Sequence, residues 1–435
     1  MTLHRKRTHV GVAALAASAV LLAACGGTDG SDDAPHLTVL MEEISYTDNI
    51  REMLPEFEAA TGITVDLETV PYADQASRIL QEFAQGSDTY DVVFNDNVYG
   101  SGYFESGYVL DVTEYATGED EFGTLDEFYD PYLAPMTTED GAVYGVPVYG
   151  ESTFLMYRTD LFAEHGIDGP PQTTAELEEA ARTISEGTNG EVAGITMRGT
   201  AGIHALYPWA GLLRSFGGDF FDADGQIAVD SPEAVEATEY WANLLSEYGP
   251  AGVANFDWEQ NRIAFTQGQA AMTIDATANG PYNEDAESST VAGNVGYAPI
   301  PYAPGVEPGE NTNNSLAVHS LYLNANSSNP EAAWSFMAWA TSQEVQEGAV
   351  ASVEAVGVTN EAVLNGDAYA ERYGAFQEAV LDQLATGNLS YLPSGQSANT
   401  VIVETGQALS NALSGQQSAE EALAAAAESI STQLG

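Results

Sequence analysis

The sequence predicts an α/β protein of two lobes with a crevice between them. Short apolar runs alternate with longer helical stretches, the spacing of βαβ units around a parallel sheet. About 400 residues remain after an N-terminal export segment, enough for two sizeable cores. With 44% hydrophobic residues and aromatics throughout, the chain is globular despite its extreme charge.

The first element stands outside that fold. His4, Arg5, Lys6 and Arg7 precede an apolar run from Val10 to Ala24, which is too short to span a bilayer. Residues 1–24 therefore read as a removable signal peptide. They end in Leu22-Ala23-Ala24-Cys25-Gly26, and Cys25 is the only cysteine. Leu-Ala-Ala-Cys resembles a bacterial lipobox, in which the cysteine is lipidated and becomes the new N-terminus. An ordinary signal peptide with an accidental cysteine is the alternative, but a lone thiol here has no disulfide partner. Residues 25–35 read as a lipid-anchored, flexible Gly/Ser/Asp-rich tether. No other stretch is long and apolar enough to cross a membrane.

His36–Met41 reads as a strand, Asn49–Thr61 as a helix stopped by Gly62, and Ile63–Leu67 as the next strand. Ala73–Gln85 is a helix and Asp91–Phe94 a third strand. Tyr144–Tyr149 and Phe154–Tyr157 are extended segments interrupted by Gly150-Glu151-Ser152. Thr173–Glu186 reads as a helix with Thr174 as N-cap and Leu177 on its buried face. Ala193–Met197 and Ala270–Ile274 read as strands. Further helices run over Pro232–Tyr248, Trp258–Gln267 and Pro330–Ala340. Val401–Leu434 forms two alanine-rich helices separated by Ser414-Gly415. No internal repeat is visible.

The formal net charge is −54. Without residues 1–24 the chain keeps 8 arginines and no lysine against 65 acids. Nucleic acid and anionic lipid surfaces are poor partners for such a surface. It suits a salty medium, where screening weakens self-repulsion.

Several segments together resemble the solute-binding proteins of carbohydrate ABC importers, extracellular solute-binding family 1. They are Phe57-Glu-Ala-Ala-Thr-Gly-Ile-Thr-Val65, Tyr90-Asp-Val-Val93, Tyr144-Gly-Val-Pro147 and Met156-Tyr-Arg-Thr-Asp-Leu-Phe162. Phe216-Gly-Gly-Asp-Phe-Phe-Asp222, Phe265-Thr-Gln-Gly-Gln-Ala-Ala-Met272 and Glu331-Ala-Ala-Trp-Ser-Phe-Met-Ala-Trp-Ala-Thr-Ser342 follow in order. Tyr149-Gly-Glu-Ser152, Met197-Arg-Gly199 and Ile274-Asp-Ala-Thr277 are similar to the sorbitol- and mannitol-binding branch. One place departs. Where that branch implies tryptophans before the late strand, this chain has Ser315-Leu-Ala-Val-His-Ser320, so an aromatic stacking surface is missing or moved.

The resemblance implies a two-lobed periplasmic-binding-protein fold of type II, a Venus flytrap with the ligand cleft between the lobes. Lobe 1 would hold residues 36–150 and 317–340, lobe 2 residues 151–316 and 341–435, with crossings near Gly150, Leu316 and Thr341. It implies a neutral polyol or sugar as ligand. Its partners would be an ABC permease and a cytoplasmic ATPase, since this chain has no Walker sequence. A monomer is expected, on the outer face of the cell membrane, touching it through the lipid on Cys25 alone.

A sugar or polyol offers hydroxyls that donate and accept, and apolar C–H faces. A receptor answers with carboxylates, amides, arginine and aromatic rings. The residues just after strands are the ones to inspect, because ligands of open α/β sheets sit beyond the strands' carboxyl ends. Glu151 leads, at a strand end beside Gly150. Arg198 follows the segment Ala193–Met197, whereas Arg158 is expected to pair with Asp160. Asp275 ends an apolar run, and Asn95 and Asp96 follow the third strand. Glu42 and Glu43 follow the first strand, with Glu43 preferred. Tyr46, Tyr149 and Trp209 are candidate stacking rings, His319 is a substitute for a missing ring, and Tyr72 behind Pro71 is a further candidate.

Asp222-Ala-Asp-Gly225 opens like a calcium loop but reads as a turn between Phe221 and Ile227. No metal, cofactor or catalytic residue is expected: the histidines lack ligand spacing, and no Gly-x-Ser-x-Gly elbow is present. The competing readings are a secreted carbohydrate-active hydrolase, using two of the many acids, and a chemosensory sugar-binding protein.

Overall fold

The structure is a computed structural model that describes residues 34–116, 125–309, 312–352, 357–373 and 375–435. The signal peptide, Cys25 and most of the tether lie outside the described residues.

The strands are β1 (His36–Glu42), β2 (Thr64–Val70), β3 (Val92–Asp96), β4 (Val146–Glu151), β5 (Thr153–Arg158), β6 (Met272–Ala276), β7 (Val295–Ala298) and β8 (Ala317–Leu323). They form a five-stranded sheet, ordered β2-β1-β3-β8-β4, and a three-stranded sheet, ordered β6-β5-β7. Each sheet is the centre of one lobe. The expected parallel pairing holds for β1 with β2 and β3. The late strand β8 runs antiparallel to both β3 and β4, and the second sheet is antiparallel throughout.

The first sheet is covered on both faces, and strand periodicity assigns each side chain to one of them. Leu37, Val39 and Met41 pack with Phe57, Trp334 and Phe336. Leu40 and Val93 face the other way, among Ile79, Phe83 and Tyr103. Each such side chain, fully buried, contributes roughly 1.5–3 kcal/mol. By the same alternation Glu42 shares the face of Leu40, while Glu43 falls beyond the strand. The helix Ser45–Thr61 begins four residues earlier than Asn49 and ends at Gly62, whose φ of 75° is the left-handed cap the sequence requires.

In the second lobe the helix Ile203–Ser215 is buried along its whole length. It lies against Pro232–Tyr248 and Ala398–Leu413. Two local expectations change here. Thr173, not Thr174, caps the helix Thr174–Gly187, its side chain accepting from the Glu176 N–H at 3.2 Å. Ala193–Met197 is not a continuous strand; only Ala193 and Thr196 bridge, to Ala270 and Thr273. The Asp222–Gly225 segment is a turn, with Phe221 bridged to Ile227.

The chain passes between lobes at Ser152, the one residue between β4 and β5. It returns before β8, where the Ser315 N–H donates to Thr153 Oγ1 at 2.9 Å. The third crossing is not at Thr341. The helix Gln343–Ser352 packs on Ser45–Thr61; Gln346 Nε2 donates to Thr359 Oγ1, which donates to the Pro147 carbonyl of β4. The chain joins the second lobe only around Phe376, whose ring packs on Phe154 and Tyr297. The reason is packing: the apolar face of Gln343–Ser352 completes the first lobe's core through Val345 and Ala349.

Candidate functional site

A cavity of about 790 Å³ opens between the lobes, within the range of small-molecule sites. Its floor is set by the register of the first sheet. Asp96 lies opposite His319 on β8, and His319 lies opposite Tyr149 on β4, after a bulge between Pro147 and Tyr149. The Tyr149 ring meets the His319 ring edge-on at 5.5 Å, and Tyr72 leans on it at 5.9 Å. The Tyr72 hydroxyl donates to Asp96 Oδ2 at 3.1 Å.

Two carboxylates reach this floor. Glu42, at the end of β1, is 9% exposed, and Glu151, at the end of β4, is 7% exposed. Burial, then repulsion from Glu151 and Asp96, pushes the Glu42 pKa up to about 8. Burial likewise pushes Glu151 up to about 7, against the opposing pull of Arg198 and the Tyr207 hydroxyl. The Tyr149 hydroxyl donates to Glu151 over a long 3.4 Å. Among the described residues Glu42 Oε2 has no hydrogen-bond donor; it faces His319 Nδ1, equally unpartnered there, at 3.6 Å. Burial, then Arg198, lowers the His204 pKa to about 4, and burial lowers that of His319. Both rings are neutral near pH 7.

Arg198 enters from the second lobe. Its Nε and Nη2 donate to Asp275 Oδ1 at 2.9 and 2.5 Å, and its guanidinium lies 4.8 Å from the centre of the Tyr207 ring. Burial alone would depress its pKa; Asp275 outweighs that and holds it above the ordinary guanidinium value. Asp275 also accepts from Asn261 Nδ2 at 2.5 Å, and Asn261 accepts from Thr196 Oγ1 at 2.7 Å. Nearer the mouth, Arg262 sits 5.1 Å from the Trp258 ring centre and 4.1 Å from that of Tyr282. Tyr282 and Ser45, one from each lobe, meet through their hydroxyls at 3.4 Å. Tyr72 and His204 also face each other across the cleft, edge-on at 6.0 Å. This arrangement offers acceptors, a fixed guanidinium and several rings to one small polar molecule.

Of the residues singled out from the sequence, Glu43, Tyr46, Tyr149, Glu151, Arg198 and His319 line this cavity, as do Glu42 and Tyr72. Glu43 is the exposed member of its pair. Tyr46 is 1% exposed, its hydroxyl directed at the Ala340 carbonyl, so most of its ring belongs to the core. Asn95 and Asp96 are the last residues of β3 rather than a turn after it. Asn95 is spent on Tyr103 and on the Asp96 N–H. Asp96 is spent on Tyr72 and on capping the helix Asn97–Glu105. Asp275 lies behind Arg198, fully buried. Trp209 is not a stacking ring: it is 0% exposed in the second lobe's core, with Nε1 donating to Thr238. Arg158 pairs with Asp160, as expected.

Tyr207, His204, Trp258, Arg262 and Tyr282 line the cleft without having been singled out. A signal for Arg262 existed: only 8 arginines follow residue 24, so each merits inspection. Trp258 opens its helix right after a capping box between Asp257 and Gln260, which fixes where the ring leaves the backbone. The second lobe thus brings the rings of Tyr207, Trp258 and Tyr282 to the cleft lining.

Residues 44–347 match the family of bacterial extracellular solute-binding proteins. The mannitol-binding protein of Pseudomonas aeruginosa is similar at 30% identity over 314 residues, spanning 68% of this chain and 70% of that one. The erythritol/L-threitol-binding protein of Mycolicibacterium smegmatis is 25% identical over 371 residues, 78% of this chain and 76% of that one. An ABC transporter solute-binding protein of Agrobacterium radiobacter, solved with ribitol, has a similar fold, with a TM-score of 0.84 at 24% identity over 92% of this chain and 99% of that one. One from Agrobacterium vitis with bound D-mannitol matches at 0.84 and 24%, over 92% and 98%.

Proposed function

The chain belongs to the bacterial extracellular solute-binding protein family, and we propose that its cleft captures a polyol or a small sugar for delivery to an ABC permease powered by a cytoplasmic ATPase. The observation that carries this is the composition of one cleft. Buried acceptors and a fixed guanidinium form its floor, and Tyr72, Tyr149, Trp258 and Tyr282 supply rings around it. Polyol hydroxyls pair with the floor, and C–H faces lie on the rings. Relatives that bind mannitol and erythritol or threitol support the same ligand class.

In this reading the ligand contacts both lobes at once, so binding favours the closed arrangement that a permease recognises. Lipidation of Cys25 holds the trap beside that permease as a monomer. Glu43, Glu151, Arg198 and His319 touch the ligand, and Asp96 and Asp275 hold the groups that do. The chain binds without catalysis; release of sugar from glycosides would count against that.

A thermal-shift screen over polyols, monosaccharides and disaccharides, run in high salt, tests the assignment. A ligand at 100 times its dissociation constant adds ~2.7 kcal/mol, a readily visible shift. Silence from every neutral carbohydrate sinks the proposal. Glu151→Ala is expected to weaken whichever ligand registers.

A further inference from the structure

We propose that the cleft prefers a polyol or sugar bearing a protonated amine, which seats between Glu42 and Glu151; this rests on the polyol reading above.

The charges of the inner cleft are unbalanced. Glu42 and Glu151 are both buried, and they repel one another and Asp96. Each cation in reach already has an acid of its own. Arg198 gives two nitrogens to Asp275, and Arg51 pairs with Asp48 at 2.5 Å. Arg262, nearer the mouth, lies between two rings with Glu259 at 4.0 Å. The imidazoles of His204 and His319 are held neutral, and the chain beyond the signal has no lysine. The hydroxyls of Tyr72, Tyr149 and Tyr207, which face Glu42 or Glu151, carry no charge. Excess acid on the outer surface is solvated, but these two carboxylates are not. A buried carboxylate with too little counter-charge is costly once ionised, and a charged donor is worth more to it than a neutral one.

Glu42 Oε2 makes the case specific, since among the described residues it accepts no hydrogen bond while Glu42 lines the cavity. A ligand hydroxyl would satisfy the oxygen yet bring no positive charge to Glu42 where it is ionised. An ammonium donates up to three hydrogen bonds and supplies the missing charge. Tyr72 and Tyr149 line the same cavity, and aromatic faces suit a cation.

Calorimetric titration of the full-length protein in high salt with matched pairs tests this. The pairs are D-sorbitol with D-glucamine, and D-mannitol with its terminal-amino analogue, each differing by one amine in place of a hydroxyl. In whichever pair binds, the amine is expected to bind at least about tenfold tighter near pH 8.5, where the acids are ionised and the amine is protonated. That advantage should shrink several-fold near pH 6, where Glu42 takes up a proton. Glu42→Gln should bring the two members of the pair to within about threefold of one another. An amine no tighter than its parent near pH 8.5 overturns the inference and leaves the polyol reading standing. If no member of either pair binds, and the wider carbohydrate screen is silent, the polyol reading itself is withdrawn. The wild-type pH series gives the same discrimination should Glu42→Gln fail to fold.

Discussion

Arg198 donates through both Nε and Nη2 to a single oxygen of Asp275, at 2.9 and 2.5 Å, with neither side chain more than 5% exposed. The pair ties β6 to the segment after Thr196 and aims a guanidinium into the cleft without leaving it free. Removing one partner strands a buried charge, which costs about 3–5 kcal/mol. Asp275→Ala is therefore expected to lower stability by that order and to weaken ligand binding together. Urea unfolding with parallel calorimetry checks both; an unchanged unfolding midpoint would show that the pair is dispensable.

Glu42 and Glu151 make stability depend on pH in an unusual direction. An acid whose folded pKa is raised holds its proton in the native state where the unfolded chain has lost it. Stability then falls as pH rises, from the ordinary value of 4.5 toward about 8 for Glu42 and about 7 for Glu151. For Glu42 the upper bound is about 5 kcal/mol across that window. Thermal melts of the ligand-free protein should show the decline, and Glu42→Gln should flatten it. A wild-type melting temperature that rises steadily across this window would contradict the burial of both acids.

Two kinds of tryptophan should separate experimentally. Trp209→Ala empties a core site and should cost ~3–5 kcal/mol while the folded fraction binds as before. Trp258→Ala and Tyr282→Ala should leave stability nearly intact. Each should weaken binding about two- to tenfold, from ~0.5–1.5 kcal/mol per ring contact. The reverse pattern in melting curves and titrations would relocate the stacking surface.

Cys25→Ser removes the proposed lipid attachment. The variant is expected in the soluble fraction or the medium, whereas the wild-type chain sediments with membranes. Cell fractionation reads this directly, and a variant still in the membrane pellet would refute the anchor.

Much of the lobe architecture was legible because it depends on local chemistry. The apolar alternation of Leu37, Val39 and Met41 marks a strand, and Gly62 marks the end of a helix. Gly150-Glu151-Ser152 marks a break between two extended segments. Lobe boundaries were legible only in part. The helix Gln343–Ser352 belongs to the first lobe through its packing on Ser45–Thr61, where Asn49 and Val345 meet from 296 positions apart. No local pattern encodes it.

The site divides the same way. By itself the sequence pointed to Glu151 at a strand end and to Arg198 as one of few arginines, and the departure at Ser315–Ser320 from the resembled branch pointed to His319. Only the tertiary structure decided which of those groups are already committed. Asp275 is bound to Arg198, Asn95 to Tyr103, and Trp209 is sealed in a core, whereas Glu42 is left with an oxygen that the protein does not satisfy. The reason is physical. Strand periodicity is set by neighbours along the chain, but burial and partnership are set by whatever the other lobe brings within hydrogen-bonding distance.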